Sequence, residues 1–511
     1  MVRTAGVKQR STWPADMRSA FEAAEFDAAA DVFDAQNTGT PPIEAVLLRA
    51  RIYLKKNNAA AARALLESRR VKESSGAIKA EIAILLAAAY ARANRFDVAD
   101  LQFAAADDLL RRVRDTRLAA ELTHQRAMRF AIERRLEDAR AAVGRLRRFT
   151  SGKAQIDAAF DESFIYSSEG RYRDQAAVLQ TLLEHTDLNS AGALESRIHA
   201  TQTLAILCRE LYLPDAVSLV ERHLDAGPWP SDYDKHRFEA LKALGWCHAL
   251  RGDYFNAFRR LKASQQASSR PELQTMAHLD RAYLARCRNE LLWHRQELAE
   301  AEDVATRVDW AAAQGEERVA LLLLAEQFAS IDAGKASYYI GKYDELPPLA
   351  RPLQHFTHDG RLDALADYSR AVVDMAVGNR KTAVALLKRT QKFYEGISFD
   401  WRAGRCALRL FEATGDPVHL KTAEERLHNY MGSWLGDELR RLRSGVTSLD
   451  LPPVQKKVFY GICKGLSNAE IAESLGRSEF TVRNHVKILL KRFNVPSRSA
   501  LIAEAMRRRL I

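Results

Sequence analysis

Apolar residues recur at steps of three and four along most of this chain, which is the spacing of amphipathic helices. Runs of alternating β-branched residues are few, and no Asn-Gly or Asp-Gly pair joins two such runs as a hairpin turn would. Alanine, leucine, arginine and glutamate, which are strong helix formers, dominate the composition. The pattern therefore predicts an all-α protein.

A longer repeat lies on top of the helical spacing. A small residue is followed seven positions later by a tight-turn residue, twelve later by a second small residue and sixteen later by a bulky apolar one. Four copies are clear: Ala50, Asn57, Ala62 and Leu66; Ala87, Asn94, Ala99 and Phe103; Gly245, Gly252, Ala257 and Leu261; and Ala371, Gly378, Ala383 and Leu387. Small residues let two helices approach closely, and Asn or Gly accepts the left-handed conformation that ends a helix. Each copy therefore predicts a helical hairpin.

Weaker copies of this repeat fill the intervals between the clear ones. They lie around Gly170, Leu211, Leu292, Gly334 and Gly415, with the least distinct copy near Arg134. The turns are then spaced by roughly 40 residues, which is within the range of stacked helix pairs. The pattern resembles tetratricopeptide repeats over most of residues 40–430, the alternative being an irregular all-helical domain. The resemblance implies a superhelix whose concave groove binds a protein, a peptide or a small effector.

Four tryptophans are candidates to line such a groove. They are Trp246, Trp293, Trp310 and Trp401. A tryptophan in a helical array is more often part of the core, so both roles stay open for each of them.

The pattern changes after Gly445, where turn formers and two prolines predict a domain boundary. Four short helices follow in the sequence. The first spans about Pro453 to Cys463, and the second begins at a capping box from Ser467 to Glu470. The third runs from about Glu479 to Phe493 after Ser478, and the fourth follows Pro496.

The third of these helices has two distinct faces. Its apolar stripe consists of Val482, Val486, Leu489 and Phe493. The opposite side, called the donor row below, consists of Arg483, Asn484, Lys487 and Lys491. Two short helices joined by a Gly-containing turn, the second with a cationic outer face, are the parts of a helix-turn-helix. Arg pairs with guanine and Asn with adenine in the major groove, and Lys pairs with guanine or with phosphate.

Charge supports a nucleic-acid-binding end. The whole chain of 511 residues has a formal net charge of +11. Residues 451–511 contain 12 Lys and Arg against 4 Asp and Glu, whereas the first 450 residues have a net charge of only +3. Because the basic segment is also rich in periodic apolar residues, it is a folded domain rather than a solvated tail.

Residues 451–511 resemble the four-helix DNA-binding domain of the LuxR family of bacterial transcription regulators, which also closes many NarL-type response regulators. The matching motifs run from Gly465 to Ala472 and from Thr481 to His485, with Val495 near the end. The resemblance implies a cytoplasmic regulator that binds double-stranded DNA as a homodimer. We expect base contacts from Arg483, Asn484 and Lys487, backbone contacts from Ser467, Asn468, Ser478, Thr481, Lys491 and Arg492, and dimer contacts from Leu501, Ala505 and Met506.

The segment departs from the family pattern at a few positions. Pro452, Pro453, Gln455 and Lys457 stand where the family has Thr-Pro-x-Glu-x-Glu, so the first helix lacks the usual capping box, although Asp450 could cap it instead. Ala500 stands where an acid is usual. Ile488, beside the donor row, could touch a thymine methyl or pack on another domain. His485, at the edge of the apolar stripe, is expected to make a structural hydrogen bond.

Several classes of function lack their motifs. Gly334-Lys335 is followed by Ala336, so the Walker pattern fails, and no HExxH or GxSxG motif is present. The five scattered cysteines, Cys208, Cys247, Cys287, Cys406 and Cys463, are expected to be core residues and not metal ligands or disulfides. The basic N-terminus has no apolar core behind it, and no apolar run approaches the ~20 residues of a membrane span. We expect no enzyme activity, no cofactor and no membrane association.

Together these observations predict four segments. Residues 1–40 are an N-terminal segment with a partial first hairpin, 41–431 the repeat array, 432–450 a connecting helix and linker, and 451–511 the helix-turn-helix domain. The protein is expected to regulate transcription, with RNA polymerase as a further possible partner. The alternative is a scaffold whose helix-turn-helix docks proteins. The operator, the effector and the direction of regulation are not encoded in any pattern of the sequence.

Overall fold

A computed structural model describes residues 13–36, 41–68, 76–185, 193–227, 229–313, 317–347, 360–443, 451–493 and 495–507. These residues form 27 α-helices and no β-strand, which confirms the all-α prediction for this part of the chain. None of the helices that they form has both the length and the apolar character needed to cross a membrane.

The first 23 helices form the array. They are α1 (Trp13–Glu22), α2 (Phe26–Asp34), α3 (Ile43–Lys55), α4 (Ala59–Leu66), α5 (Gly76–Arg92), α6 (Phe96–Val113), α7 (Thr116–Ile132), α8 (Leu136–Leu146), α9 (Gly152–Ser168), α10 (Tyr172–His185), α11 (Leu194–Leu211), α12 (Pro214–Asp225), α13 (Asp234–Leu250), α14 (Tyr254–Ala267), α15 (Pro271–Cys287), α16 (Leu291–Ala305), α17 (Val319–Phe328), α18 (Ala333–Asp344), α19 (Gly360–Val377), α20 (Arg380–Gly396), α21 (Asp400–Thr414), α22 (Pro417–Leu427) and α23 (Trp434–Arg443). Short 3-10 helices cover Ser231–Tyr233 and His428–Tyr430.

Consecutive helices pack in pairs, from α3 with α4 to α21 with α22. The four clear repeats place their turn residues as expected: Asn57, Asn94, Gly252 and Gly378 have φ angles of 56°, 58°, 81° and 92°. This left-handed conformation ends one helix and lets the chain reverse into the next. The predicted helical hairpins are thus confirmed at these positions.

The small residues of the repeat lie at the closest approach of each pair. Ala50 and Ala62, like Ala87 and Ala99, are fully buried. At Gly245 a Cβ atom would lie 2.8 Å from the Leu261 side chain of the partner helix. The small residues of the repeat therefore lie where paired helices are in closest contact, as the spacing predicts.

Three weaker copies are also confirmed, because Arg134, Gly170 and Gly415 have φ angles of 66°, 73° and 72°. At the copy near Leu211, the left-handed residue is the neighbouring Tyr212, with a φ angle of 52°.

At the copies near Leu292 and Gly334 the helices pair as predicted, α15 with α16 and α17 with α18, but the predicted turn residues are wrong. The left-handed turn lies at Asn289, with a φ angle of 61°, and Leu292 is already inside α16. Gly334 lies in the first turn of α18, where its N–H donates to the Asp332 carboxylate at 3.0 Å. Asp332 thus caps a helix start at a position where the repeat predicted a turn.

Both ends of the array differ from the predicted segments. The N-terminal segment contains two complete helices, α1 and α2, which pack on each other. The predicted connecting helix, α23, buries Trp434, Leu435 and Leu439 in the core that α13, α14, α21 and α22 share. It therefore belongs to the array. Residues 444–450, including Asp450, lie outside the described residues.

Candidate nucleic-acid interface

The C-terminal domain contains α24 (Pro453–Cys463), α25 (Asn468–Leu475), α26 (Glu479–Phe493) and α27 (Arg498–Arg507). These bounds agree with the four helices predicted from the sequence. Gly465 and Gly476 have φ angles of 82° and 59°, so both provide the left-handed residue that ends the helix before it.

A small apolar core fixes the angle between the helices. It contains Val458, Phe459, Ile462, Ile471, Val482, Leu489, Phe493, Leu501 and Ala505, all buried. The rings of Phe459 and Phe493 stack at 5.3 Å between centroids, which holds α26 against α24. A Cβ atom at Gly461 would lie 2.7 Å from Ile471, so α25 crosses α24 at its closest there. The position of α26 is therefore set by packing on both sides.

Side-chain caps fix the start of α25 and of α26. The Ser467 N–H donates to Glu470 Oε2 at 2.6 Å, and the Glu470 N–H donates to Ser467 Oγ at 3.2 Å, which confirms the capping box. The Ser467 N–H also holds the pKa of Glu470 below its ordinary value. At α26, the Thr481 N–H donates to Ser478 Oγ at 3.2 Å, and the two hydroxyl oxygens are 2.9 Å apart. Two hydroxyl groups thus lie together at the N-terminus of α26.

The donor row lies on the solvent side of α26, and all four of its members are exposed. Arg483 Nη2 is 3.1 Å from Glu479 Oε1 of the preceding turn, and Glu479 is itself exposed. Within the described residues no hydrogen bond or ion pair engages the side chains of Asn484, Lys487 or Lys491. Arg492, also exposed, lies just beyond the row. The row therefore presents side-chain donors outward from a fixed helix.

Two large apolar side chains share this side of α26. Phe480 is 69% exposed and precedes Arg483 by three residues, and Ile488 is 46% exposed beside Lys487. Ile488 was among the residues predicted from the sequence, whereas Phe480 was not. The signal was available, because Phe480 lies outside the apolar stripe and one turn before the donor row.

A further residue missed by the sequence analysis, Arg498, connects α27 to the start of α25. Its Nη1 donates to Asn468 Oδ1 at 2.9 Å, and its Nη2 donates to the Leu466 carbonyl. The Asn468 amide oxygen is thereby occupied, which leaves the Nδ2 group of Asn468 as the donor for the predicted contact with the DNA backbone.

The three predicted dimer residues do not form a surface together. Leu501 and Ala505 are fully buried in the core of their own domain, whereas Met506 is 51% exposed. The Met506 carbonyl accepts a hydrogen bond from Asn289 Nδ2 of the array at 3.2 Å. A dimer contact through α27 therefore stays a prediction, with Met506 as the one of the three side chains placed to make it.

Two further expectations concern His485 and the cysteines. His485 is half-buried, and its Nδ1 is buried with no hydrogen-bond partner among the described residues, so the expected structural bond is absent at that atom. Four cysteines are buried as expected, and Cys463 is half-buried. In the described part of the chain, no three His, Cys, Asp or Glu side chains are grouped to hold a metal ion.

Comparison with known proteins identifies the C-terminal domain. Residues 451–505 match the family model described as bacterial regulatory proteins, luxR family. The crystal structure of the APC/C hetero-tetramer Cut9-Hcn1 is similar over 84% of this chain and 95% of that chain, at 14% sequence identity and a TM-score of 0.25. No curated protein matches the sequence significantly. Residues 451–505 thus form a helix-turn-helix domain that is similar to the luxR family of bacterial regulatory proteins, and this domain follows an array of helical hairpins.

Proposed function

We propose that this protein is a sequence-specific DNA-binding transcription regulator and that α26 enters the major groove. The observation that carries the proposal is the donor row, which is exposed on a helix held by caps and core packing. The major groove admits one α-helix, and its base edges present acceptors to side chains of this kind. The match of residues 451–505 to a family of bacterial regulatory proteins supports the same assignment.

Each side chain of the interface has a role that follows from its chemistry. Arg483 pairs with guanine, Asn484 with adenine, and Lys487 with guanine or a phosphate. Ser478 and Thr481 lie at the N-terminus of α26, where the helix dipole and free N–H groups favour a phosphate oxygen. Phosphate contacts of this kind set the register of the helix, and base contacts provide the specificity.

The remaining contacts with the DNA backbone come from the C-terminal end of α26 and from the start of α25. Lys491 and Arg492 extend the positive charge along the helix, and Ser467 and Asn468 lie at the start of α25. These contacts orient the domain on the duplex without selecting a sequence.

The array is proposed to receive the signal, as a protein, a peptide or a small effector. A homodimer would place two α26 helices on half-sites about one helical turn apart, roughly 34 Å. RNA polymerase is a further proposed partner, through a surface that the donor row does not use.

A second candidate function is docking of a protein on the same side of α26. The exposed Phe480 and Ile488 favour it, because large apolar side chains are typical anchors of protein interfaces. Salt separates the two candidates, since DNA binding releases counterions and a mainly apolar contact does not.

The experiment is a salt titration of the affinity of the full chain for duplex DNA. We expect the logarithm of the affinity to fall linearly with the logarithm of salt concentration, and Lys491→Ala to reduce the slope by about 1 because one phosphate contact is lost. Lys381→Ala, which removes an exposed cation of α20, is the matched control and should leave the slope unchanged. An affinity that is independent of salt, with no effect of Lys491→Ala, would favour protein docking instead.

A further inference from the structure

The array forms a cavity of about 250 Å³ that is partly open to solvent. Most of its lining comes from the first helices of consecutive hairpins, including α11, α13, α15, α17, α19 and α21. A volume of this size holds on the order of fifteen water molecules, or a ligand with a similar number of non-hydrogen atoms. Trp246 and Trp401, two of the four predicted groove residues, line it together with Trp434. The other two, Trp293 and Trp310, pack elsewhere in the array.

Four acceptor oxygens in the wall of this cavity have no donor among the described residues. They are Gln202 Oε1, Asp280 Oδ2, Glu326 Oε2 and Gln327 Oε1. Each of these side chains is less than one-tenth exposed. Leaving a buried acceptor unpaired costs about 1–3 kcal/mol, so native proteins rarely keep several of them in one place. Two donors of the same lining, Arg361 Nε and Trp434 Nε1, also lack a partner among the described residues. The unpaired acceptor oxygens outnumber them, which points to a molecule that brings hydrogen-bond donors.

These acceptors come from three helices that the fold brings together. Gln202 lies on α11, Asp280 on α15, and Glu326 and Gln327 on α17. Gln327 Nε2 donates to the Leu279 carbonyl at 3.2 Å, which places its amide beside the residue that precedes Asp280. All four residues line the same cavity.

Asp280 differs from the other carboxylates of the cavity. Glu210 pairs with Arg402 and Arg209, Glu239 with Lys242, and Glu326 with Arg405. In the described structure Asp280 has no ion pair, and its Oδ1 accepts only the Trp246 Nε1–H, at 2.8 Å. Burial raises the pKa of Asp280 to about 6, although Lys242 acts in the opposite direction. At neutral pH this carboxylate is a buried negative charge without a direct cationic partner.

Aromatic rings lie next to the Asp280 carboxylate. Trp246, Tyr283 and Trp434 meet edge to face, with ring centroids 5.4 to 6.1 Å apart. Because Trp246 also donates to Asp280, this aromatic wall and the carboxylate belong to the same part of the cavity. Aromatic faces attract cations and pack well against apolar groups.

We propose that the cavity binds a compact organic amine, with its ammonium group donating to the Asp280 carboxylate and its apolar body against the aromatic wall. An ammonium group provides three donors, which suits a site where four carboxylate and amide oxygens lack donors. The role of the amine as effector rests on the proposed function, since it assumes that the array receives the signal. Binding of the amine does not depend on the proposed function.

Calorimetric titration of the full chain tests this assignment. The probes are tyramine, tryptamine and hexylamine, each compared with the alcohol that replaces its amine (tyrosol, tryptophol and hexanol). We expect at least one amine to bind. Its alcohol should bind at least about tenfold more weakly, because the charge-assisted bond to Asp280 is lost.

Variants separate binding from folding. Asp280→Asn keeps an acceptor for Trp246 and should weaken amine binding by about tenfold. Gln202→Met removes an oxygen that has no partner, so it should weaken amine binding without lowering the melting temperature of the free protein. Asp97→Asn, at an exposed position of α6, is the matched control and should change neither.

Three results would each overturn the assignment: no binding of any of the three amines, equal binding of amine and alcohol, or amine binding that Asp280→Asn leaves intact. DNA is absent from these titrations. A failure of the amine site therefore leaves DNA binding standing, and a failure of the salt titration leaves the amine result interpretable.

Discussion

Arg483 is the one member of the donor row that already contacts its own helix. Its guanidinium pairs with Glu479 in the absence of DNA, whereas Asn484 and Lys487 have no partner among the described residues. The pair must open before Arg483 can reach a base, and an exposed ion pair of this kind is worth about 0.2–1 kcal/mol. In the proposed function, Glu479 therefore acts against DNA binding, both through the pair and through its charge near the phosphates.

Removing this competition should tighten binding. We expect Glu479→Gln to raise the affinity for DNA by up to about fivefold, measured by fluorescence anisotropy at fixed salt. Glu473→Gln removes an exposed charge of α25 that no described residue pairs with, so it corrects for net charge alone. Equal affinities of the two variants would show that the pair with Glu479 does not restrain Arg483.

Asp280 makes the stability of the array depend on pH. Burial raises its pKa from 3.8 to about 6, so the folded chain holds this proton more tightly than the unfolded chain does. Stability is therefore lost as the pH rises from about 4 to 6, and the full penalty is present at neutral pH.

Asp280→Asn should remove that penalty. We expect it to raise the free energy of unfolding by about 3 kcal/mol at pH 7, the equivalent of the pKa shift, with the gain vanishing near pH 4. Urea unfolding at a series of pH values measures it. A gain of the same size at every pH would mean that titration of Asp280 is not its cause.

At the scale of elements, the helices that could be predicted are those whose ends carry a local sequence signal. In the C-terminal domain, helix ends are marked by residues that lie next to them in sequence: the caps Ser467 and Ser478 and the glycines at 465 and 476. All four helices could therefore be predicted. The donor row followed from helical periodicity alone. Such signals act within a few residues of one another.

The array shows where such signals fail. In an alanine-rich chain, the small-residue offsets also match by chance, which explains the wrong turns at Leu292 and Gly334. Left-handed residues that are neither Gly nor Asn, such as Tyr212, carry almost no local signal. The unpaired acceptors of the cavity come from three helices far apart in sequence, and only tertiary packing brings Gln202, Asp280 and Gln327 to one cavity.

The close approach of paired helices is testable at Gly245. Because Leu261 is fully buried and cannot move aside, we expect Gly245→Ala to lower the free energy of unfolding by about 1–3 kcal/mol through overpacking. Gly341→Ala, in α18, is the matched control, since a Cβ atom there meets nothing within 4 Å. It should stabilise the protein by about 0.5–1 kcal/mol, as alanine does inside a helix. Equal effects at the two positions would contradict the close contact.

At the scale of the whole molecule, charge and cavity divide the chain into two parts with different chemistry. The segment 451–511 has a formal net charge of +8, whereas the first 450 residues are nearly neutral for their size. In the proposed function, long-range attraction of DNA comes from the C-terminal domain, and the array contributes a cavity with a polar and aromatic lining. The two parts can be tested separately in the intact protein.

The most direct test of the central claim is selection of binding sites from randomised duplex DNA by the wild-type chain and by Arg483→Ala, followed by sequencing. The account predicts a defined site for the wild type, and for the variant a loss of preference at one position of each half-site, worth about 1–3 kcal/mol, with the other positions retained. Lys381→Ala should select the wild-type site. Selection of the same site with the same preference at every position by Arg483→Ala would contradict the assignment of α26 as the element that recognises DNA bases.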